Sequence, residues 1–142
     1  MSFKHPKCPW MDFAEAELSS GVHEFKGDSR NNPRIQEYFA TVGMPNVRDE
    51  EHWCAAFVNW CIQSAGYRPL GNAWAAAWCS FGRSTEPSYG AIVAAPGHVG
   101  FLHHMKGDVP YVLGGNQSNT VNVSRTQKQL SQIRYRWPIY RS

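Results

Sequence analysis

Cys54 follows Trp53 and opens the segment Trp53-Cys54-Ala55-Ala56-Phe57-Val58-Asn59-Trp60. A thiol early in a helix sits near the partial positive charge of the helix N-terminus, which favours the thiolate and so attack on a carbonyl carbon. Periodicity alone fits an inert core cysteine as well. Cys54, Phe57, Val58, Cys61, Ile62 and Ala65 recur at i, i+3, i+4, i+7, i+8 and i+11, a single apolar stripe. Cys61 lies two turns further on, roughly 10 Å along the axis, and reads as packing; Cys8 and Cys79 belong to no motif.

A thiol nucleophile needs a base. His98 lies in Pro96-Gly97-His98-Val99-Gly100, where glycines admit a close approach of backbone or substrate and a strand would hold the ring. The competing reading is a solvent-facing strand histidine. His103 points to the face opposite His98, and His104 shares its face but lies roughly 20 Å away along an extended strand. No shared metal ion follows from these positions, HExxH is absent, and Cys54-x6-Cys61 is not a zinc-ligand spacing, so neither metal nor cofactor is expected. No GxSxG elbow and no phosphate-binding glycine loop occurs. Asn116, in Gly114-Gly115-Asn116-Gln117, offers an amide oxygen that could accept the imidazole N–H and fix its tautomer, or it is a turn asparagine. Gln117 could orient the base or bind substrate in its place.

Helices and a sheet must position these groups. One helix is predicted over Met11–Leu18 after Pro9, and a second over Pro33–Thr41, with Asn32 as N-cap and Pro33 at the first helical position. Asp49 is the predicted N-cap before the cysteine stripe, and Gly66 its C′ residue. A fourth helix, Asn72–Phe81, would align Trp74, Ala77, Trp78 and Phe81. Beyond Pro87 the pattern turns to strands: Gly90–Ala95, His98–Met105, Val109–Leu113, Val121–Val123 and Arg134–Trp137, an antiparallel meander. Helices first and sheet second define an α+β fold. Pairing about Gly107 in Lys106-Gly107-Asp108 sets His98 opposite Asn116 on one face.

The chain's 142 residues suit one domain whose core buries roughly 70% of the unfolded surface. Apolar residues at 42% with charged residues at 18% exclude a disordered tail or a coiled coil. The net charge of +3 is diffuse, with no Lys/Arg block to track a nucleic acid. No stretch reaches the 18 or so apolar residues needed to cross a bilayer, so no stable membrane insertion is expected. No CxxC pair exists among the four cysteines. Met1–Trp10 has no apolar signal-peptide core, so synthesis in the cytoplasm is expected.

Asn31–Ile35, Trp53–Trp60, Gly97–Phe101 and Gly114–Gln117 together resemble the motifs of small NlpC-type, CHAP-like peptidoglycan amidases and endopeptidases with a papain-like fold. They span most of the chain in that family's order. The resemblance implies Cys54 as nucleophile, His98 as general base and acid, and Asn116 as third member; Gln117 and Trp53, next to these residues in the chain, are candidates for a supporting role. The implied substrate is an amide of the peptidoglycan peptide stem, first choice γ-D-glutamyl to diaminopimelate, cut by a monomer. A cell-wall substrate and a cytoplasmic origin require export, as for a type VI secretion effector with a cognate immunity protein, or a phage endolysin passing a holin pore. A cysteine-dependent toxin acting on a host protein or lipid, and an inactive wall-binding module, are the alternatives.

Overall fold

The computed structural model describes residues 2–25, 31–44 and 53–142. Three α-helices come first: α1 (Trp10–Ser20), α2 (Pro33–Thr41) and α3 (Cys54–Ser64). Six strands follow: β1 (Arg83–Ser84), β2 (Ile92–Ala95), β3 (His98–Lys106), β4 (Val109–Gln117), β5 (Thr120–Arg125) and β6 (Arg134–Trp137). They form one antiparallel sheet in the order β1-β6-β2-β3-β4-β5. The expected meander holds from β2 to β5; β6 then crosses back to pair with β2 and with β1, a two-residue strand too short for any periodic signal. This is the α+β arrangement expected of a papain-like fold.

The motif Asn32-Pro33-Arg34-Ile35 explains α2. Asn32 Oδ1 accepts from Arg34 N at 2.9 Å while its Nδ2 donates to the His23 carbonyl at 2.7 Å, so one side chain caps the helix and ties it to the preceding loop. Arg34 reaches Glu17 of α1 at 3.1 Å, and Ile35 is buried. Helix α3 is apolar nearly all round because α1 and α2 cover one side and β3 and β4 the other, leaving Ala55, Ala56, Phe57, Val58, Cys61 and Ile62 without solvent contact. Its one fully buried polar residue, Asn59, donates to Thr41 and accepts from Gly71 N at 2.7 Å, so none of its hydrogen-bonding capacity is stranded. Gly66, with φ +85°, ends α3, as Tyr67 N reaches back to the Ile62 carbonyl at 3.2 Å. Asp49, the expected N-cap, lies outside the described residues; Trp53 occupies the cap position and makes no side-chain cap bond.

The fourth expected helix is shorter, a 3-10 turn over Ala75–Ser80. Asn72 Oδ1 accepts from Trp74 N at 2.7 Å, a local turn that competes with helix and leaves Trp74 69% exposed, off the face formed by Trp78 and Phe81.

Candidate active site

Three backbone features converge at one end of the sheet. Cys54 is the first residue of α3, only 5% exposed, and the backbone N–H groups of Val99, Ala55 and Cys54 itself lie close enough to its sulfur to favour the thiolate. The contact with Val99 brings the thiol to the residue after His98. Burial outweighs these donors and the positive charge of Lys128, so the thiol is pushed above its ordinary value and rests protonated.

His98 begins β3, immediately after the Pro96-Gly97 turn, in which Gly97 has φ +89°. Its Nε2 lies 2.9 Å from Gln117 Oε1. The neighbours of Gln117 decide which atom carries the proton. Its amide nitrogen donates to the Val112 carbonyl at 3.0 Å, the Asn122 carbonyl at 2.8 Å and Asn122 Oδ1 at 2.8 Å, so the amide cannot be flipped without facing acceptor to acceptor. Oε1 must then be the atom turned to His98, Nε2 must donate, and the neutral ring keeps its lone pair on Nδ1. Asn122 is fixed in turn, donating to the Gln117 carbonyl at 2.8 Å and accepting from Ser124 Oγ at 2.6 Å. Burial, with a smaller push from Lys128, depresses the His98 pKa below its ordinary value, and the Gln117 bond partly opposes that.

The residue on the imidazole is therefore Gln117, the alternative that the sequence offers, in place of Asn116, which pairing about Gly107 expects. The reason is local. Phe101 pairs with Leu113, the register that pairing about Gly107 expects, because a bulge between Leu102 and His104 cancels an offset introduced at the Gly107-Asp108 turn. Beyond Gly114 the pairing of β4 with β5 is irregular, Asn116 takes φ +57°, and strand alternation no longer decides which side chain meets His98. Ser118 and Asn119, also at positive φ, then make the tight turn that pairs Gln117 with Thr120.

The Gly114-Gly115 pair is demanded by close approach. A Cβ on Gly114 would lie 2.9 Å from Gln117 Oε1 and 3.4 Å from His98 Nε2, and one on Gly115 would lie 2.7 Å from the Trp53 ring and 2.9 Å from Phe57 Cβ. Trp53 itself is fully buried, stacks on Tyr38 at 5.9 Å and donates its indole N–H to Glu24 Oε2 at 3.1 Å. It wedges the start of α3 against β4 and so sets the height of Cys54.

Sequence reasoning missed Glu24, Asn122 and Lys128. Asn122 carried one faint signal, a polar residue between the apolar Val121 and Val123; the other two carried none. Cys8, Cys61 and Cys79 are free thiols, Cys61 being fully buried in the core. His103 and His104 face one another at 2.8 Å, and His104 stacks on Tyr111. Among the described residues no group of three or more His, Cys, Asp or Glu could hold a metal ion, and no helix is long and apolar enough to cross a membrane.

A thiol at a helix start, next to the backbone of the residue that follows an imidazole whose tautomer is fixed by a pinned amide on an antiparallel sheet, is the arrangement of papain-like cysteine- and histidine-dependent amidases and peptidases. The CHAP domain matches residues 46–116, half of the chain, a span holding Cys54, His98 and Asn116 and ending one residue before Gln117. The chain belongs to the CHAP domain family, whose activity is that of a hydrolase. Neither the curated proteins nor the solved structures contain a match to it.

Proposed function

We propose that this protein is a peptidoglycan hydrolase that cuts an amide of the peptide stem with Cys54 as nucleophile, His98 as base and acid, and Gln117 as the residue that orients His98. The observation carrying this reading is the Gln117 amide, anchored by Val112 and Asn122, which leaves only Nδ1 of His98 free to take a proton.

His98 Nδ1 removes the Sγ proton as the sulfur bonds to the scissile carbonyl carbon. The oxyanion is stabilised by backbone N–H groups at the start of α3, those of Cys54 and Ala55, which lie near the sulfur. The imidazolium, held by Gln117, then gives its proton to the departing amine nitrogen, leaving a thioester. Water, deprotonated by His98, attacks the thioester, and the sulfur leaves and recovers the proton as the carboxylic acid product departs.

The first-choice bond is γ-D-glutamyl to diaminopimelate. The reading places the protein, as a monomer, in the periplasm or cell wall, delivered as an antibacterial type VI effector and neutralised in the producing cell by a protein that fills its cleft. Endolysin delivery would use the same chemistry. Incubation of the wild type and of Cys54→Ala with purified muropeptides, followed by mass spectrometry, tests the substrate: one new stem fragment pair is expected with the wild type alone. Intact muropeptides after prolonged incubation with folded wild-type protein would overturn the reading in favour of a host-directed toxin or a wall-binding module.

A further inference from the structure

A cavity of about 380 Å³ opens against His98 and Gln117 and is closed on its other side by the segment from Ser124 to Lys128. Its lining includes two cations, Arg125 and Lys128, and no carboxylate. Neither cation has an ion-pair partner among the described residues. Lys128 is half-buried, and its Nζ overhangs the turn before the base: a Cβ on Gly97 would lie 2.7 Å from it. The segment is also anchored. Thr126 N donates to the Pro110 carbonyl at 3.1 Å, and Lys128 N to Thr126 Oγ1 at 3.1 Å, so the backbone that carries the cation is fixed beside the site.

Two cations without ion-pair partners lining one cavity beside an amidase centre, half-buried Lys128 and exposed Arg125, favour an anion in that cavity, and the neutral backbone of a peptide offers none. A free carboxylate on a residue flanking the scissile amide does. We propose that this cavity is a carboxylate subsite, with Lys128 as its main contact and Arg125 as its second, which selects stem peptides bearing a free carboxylate next to the cleaved bond. The proposal rests on the stem-peptide reading above and deepens it. Lys128 Nζ overhangs Gly97, the residue before His98, and lines the same cavity as His98, which keeps the bound carboxylate within a residue or so of the reacting carbonyl. In a γ-D-glutamyl linkage the α-carboxylate hangs beside the scissile amide, and diaminopimelate brings carboxylates on the other side.

The test uses three synthetic stem peptides: the free acid L-Ala-γ-D-Glu-diaminopimelate, the same peptide amidated at the glutamyl α-carboxyl, and the same peptide amidated at the side-chain carboxyl of diaminopimelate. Wild type, Lys128→Met, Lys128→Arg and Arg125→Gln are compared in kcat/KM, after circular dichroism verifies the fold of each. A charge-assisted contact predicts about a tenfold or greater preference of the wild type for the free acid over one of the amides. That preference should fall to near unity in Lys128→Met, recover in Lys128→Arg, and shrink in 0.5 M salt. Lysine acting only to favour the thiolate would slow all peptides alike and leave the ratio intact, and that result overturns the proposal. Binding of the three peptides to Cys54→Ala and to Cys54→Ala/Lys128→Met, by calorimetry, covers the case in which none is cut. Tighter, Lys128-dependent binding of the free acid would then uphold the subsite while the hydrolase reading failed; equal binding of all three would remove the subsite as well.

Discussion

Replacing Gln117 by alanine removes one hydrogen bond and should disable the base without disturbing the nucleophile. In the resting enzyme the bond joins a neutral imidazole N–H to an amide oxygen at 2.9 Å. In the transition state the ring is an imidazolium, and the same contact becomes charge-assisted, worth about 1.5–3 kcal/mol. At about 1.4 kcal/mol per factor of ten, its loss should cost roughly 10- to 100-fold in kcat with little change in KM. The pH profile supplies a signature that misfolding cannot mimic. His98 must be neutral to accept the Sγ proton, so activity falls as pH drops through its pKa, which burial holds below the ordinary value near 6.5. Gln117 is the contribution that holds that pKa up, so its removal should move the acid limb to still lower pH. Gln117→Glu should not rescue activity, because its second oxygen would face the Val112 and Asn122 acceptors that now bind the amide nitrogen, and the unfolding midpoint should fall. Stem-peptide hydrolysis from pH 4.5 to 9 with the wild type, Gln117→Ala, Gln117→Glu and Asn116→Ala measures all of this. A loss under about threefold in Gln117→Ala, together with a large one in Asn116→Ala, would refute the assignment.

Cys54→Ala should abolish turnover and keep the fold, whereas Cys61→Ala, truncated in the fully buried core, should keep most activity and lose about 1 kcal/mol in urea unfolding. Gly115→Ala should cost about 1–3 kcal/mol of stability by overpacking and lower kcat as well, since the new methyl would push on Trp53 directly beside the nucleophile; thermal melts and peptide hydrolysis check both. Expressed in a Gram-negative host, the wild type should be tolerated in the cytosol and should lyse cells only when carried to the periplasm by an added signal peptide, with lysis lost in Cys54→Ala and His98→Ala. Equal toxicity from both compartments, scored by plating and microscopy, would favour a cytosolic target.

Helix boundaries written by single residues were the most legible part of the chain, whereas the start of α3, expected after Asp49, falls at Cys54 with Trp53 in the cap position. Asn32 and Pro33 declare α2, Gly66 closes α3, and the stripe from Cys54 to Ala65 appears in the structure as the central helix. Cys54 and His98 were legible as types in suitable settings. The third residue was not, because its choice hangs on the irregular stretch after Gly114, where a backbone at φ +57° at Asn116 escapes any pattern of alternation. Lys128 was invisible for a different reason: it reaches the site from the loop after β5, and only the packing over Gly97 brings that loop to the base. The Asn72–Phe81 helix failed through a competing local bond, Asn72 Oδ1 to Trp74 N, that helical periodicity does not count.

The protonation state of the resting centre follows from two opposed shifts. Burial raises the Cys54 thiol and lowers the His98 imidazole, and both changes favour the uncharged pair over a thiolate and imidazolium. A permanent ion pair, which would leave a reactive thiolate open to oxidation, is thereby suppressed in the free enzyme. Groups that would stabilise each charged form are nonetheless in place: backbone N–H groups and the positive charge of Lys128 for the thiolate, and Gln117 for the imidazolium, against which Lys128 acts. Each gains strength as water leaves the site and charge develops on the reacting atoms. In the proposed mechanism the proton accordingly moves when substrate arrives, and the nucleophile is activated by the attack itself rather than held ready beforehand.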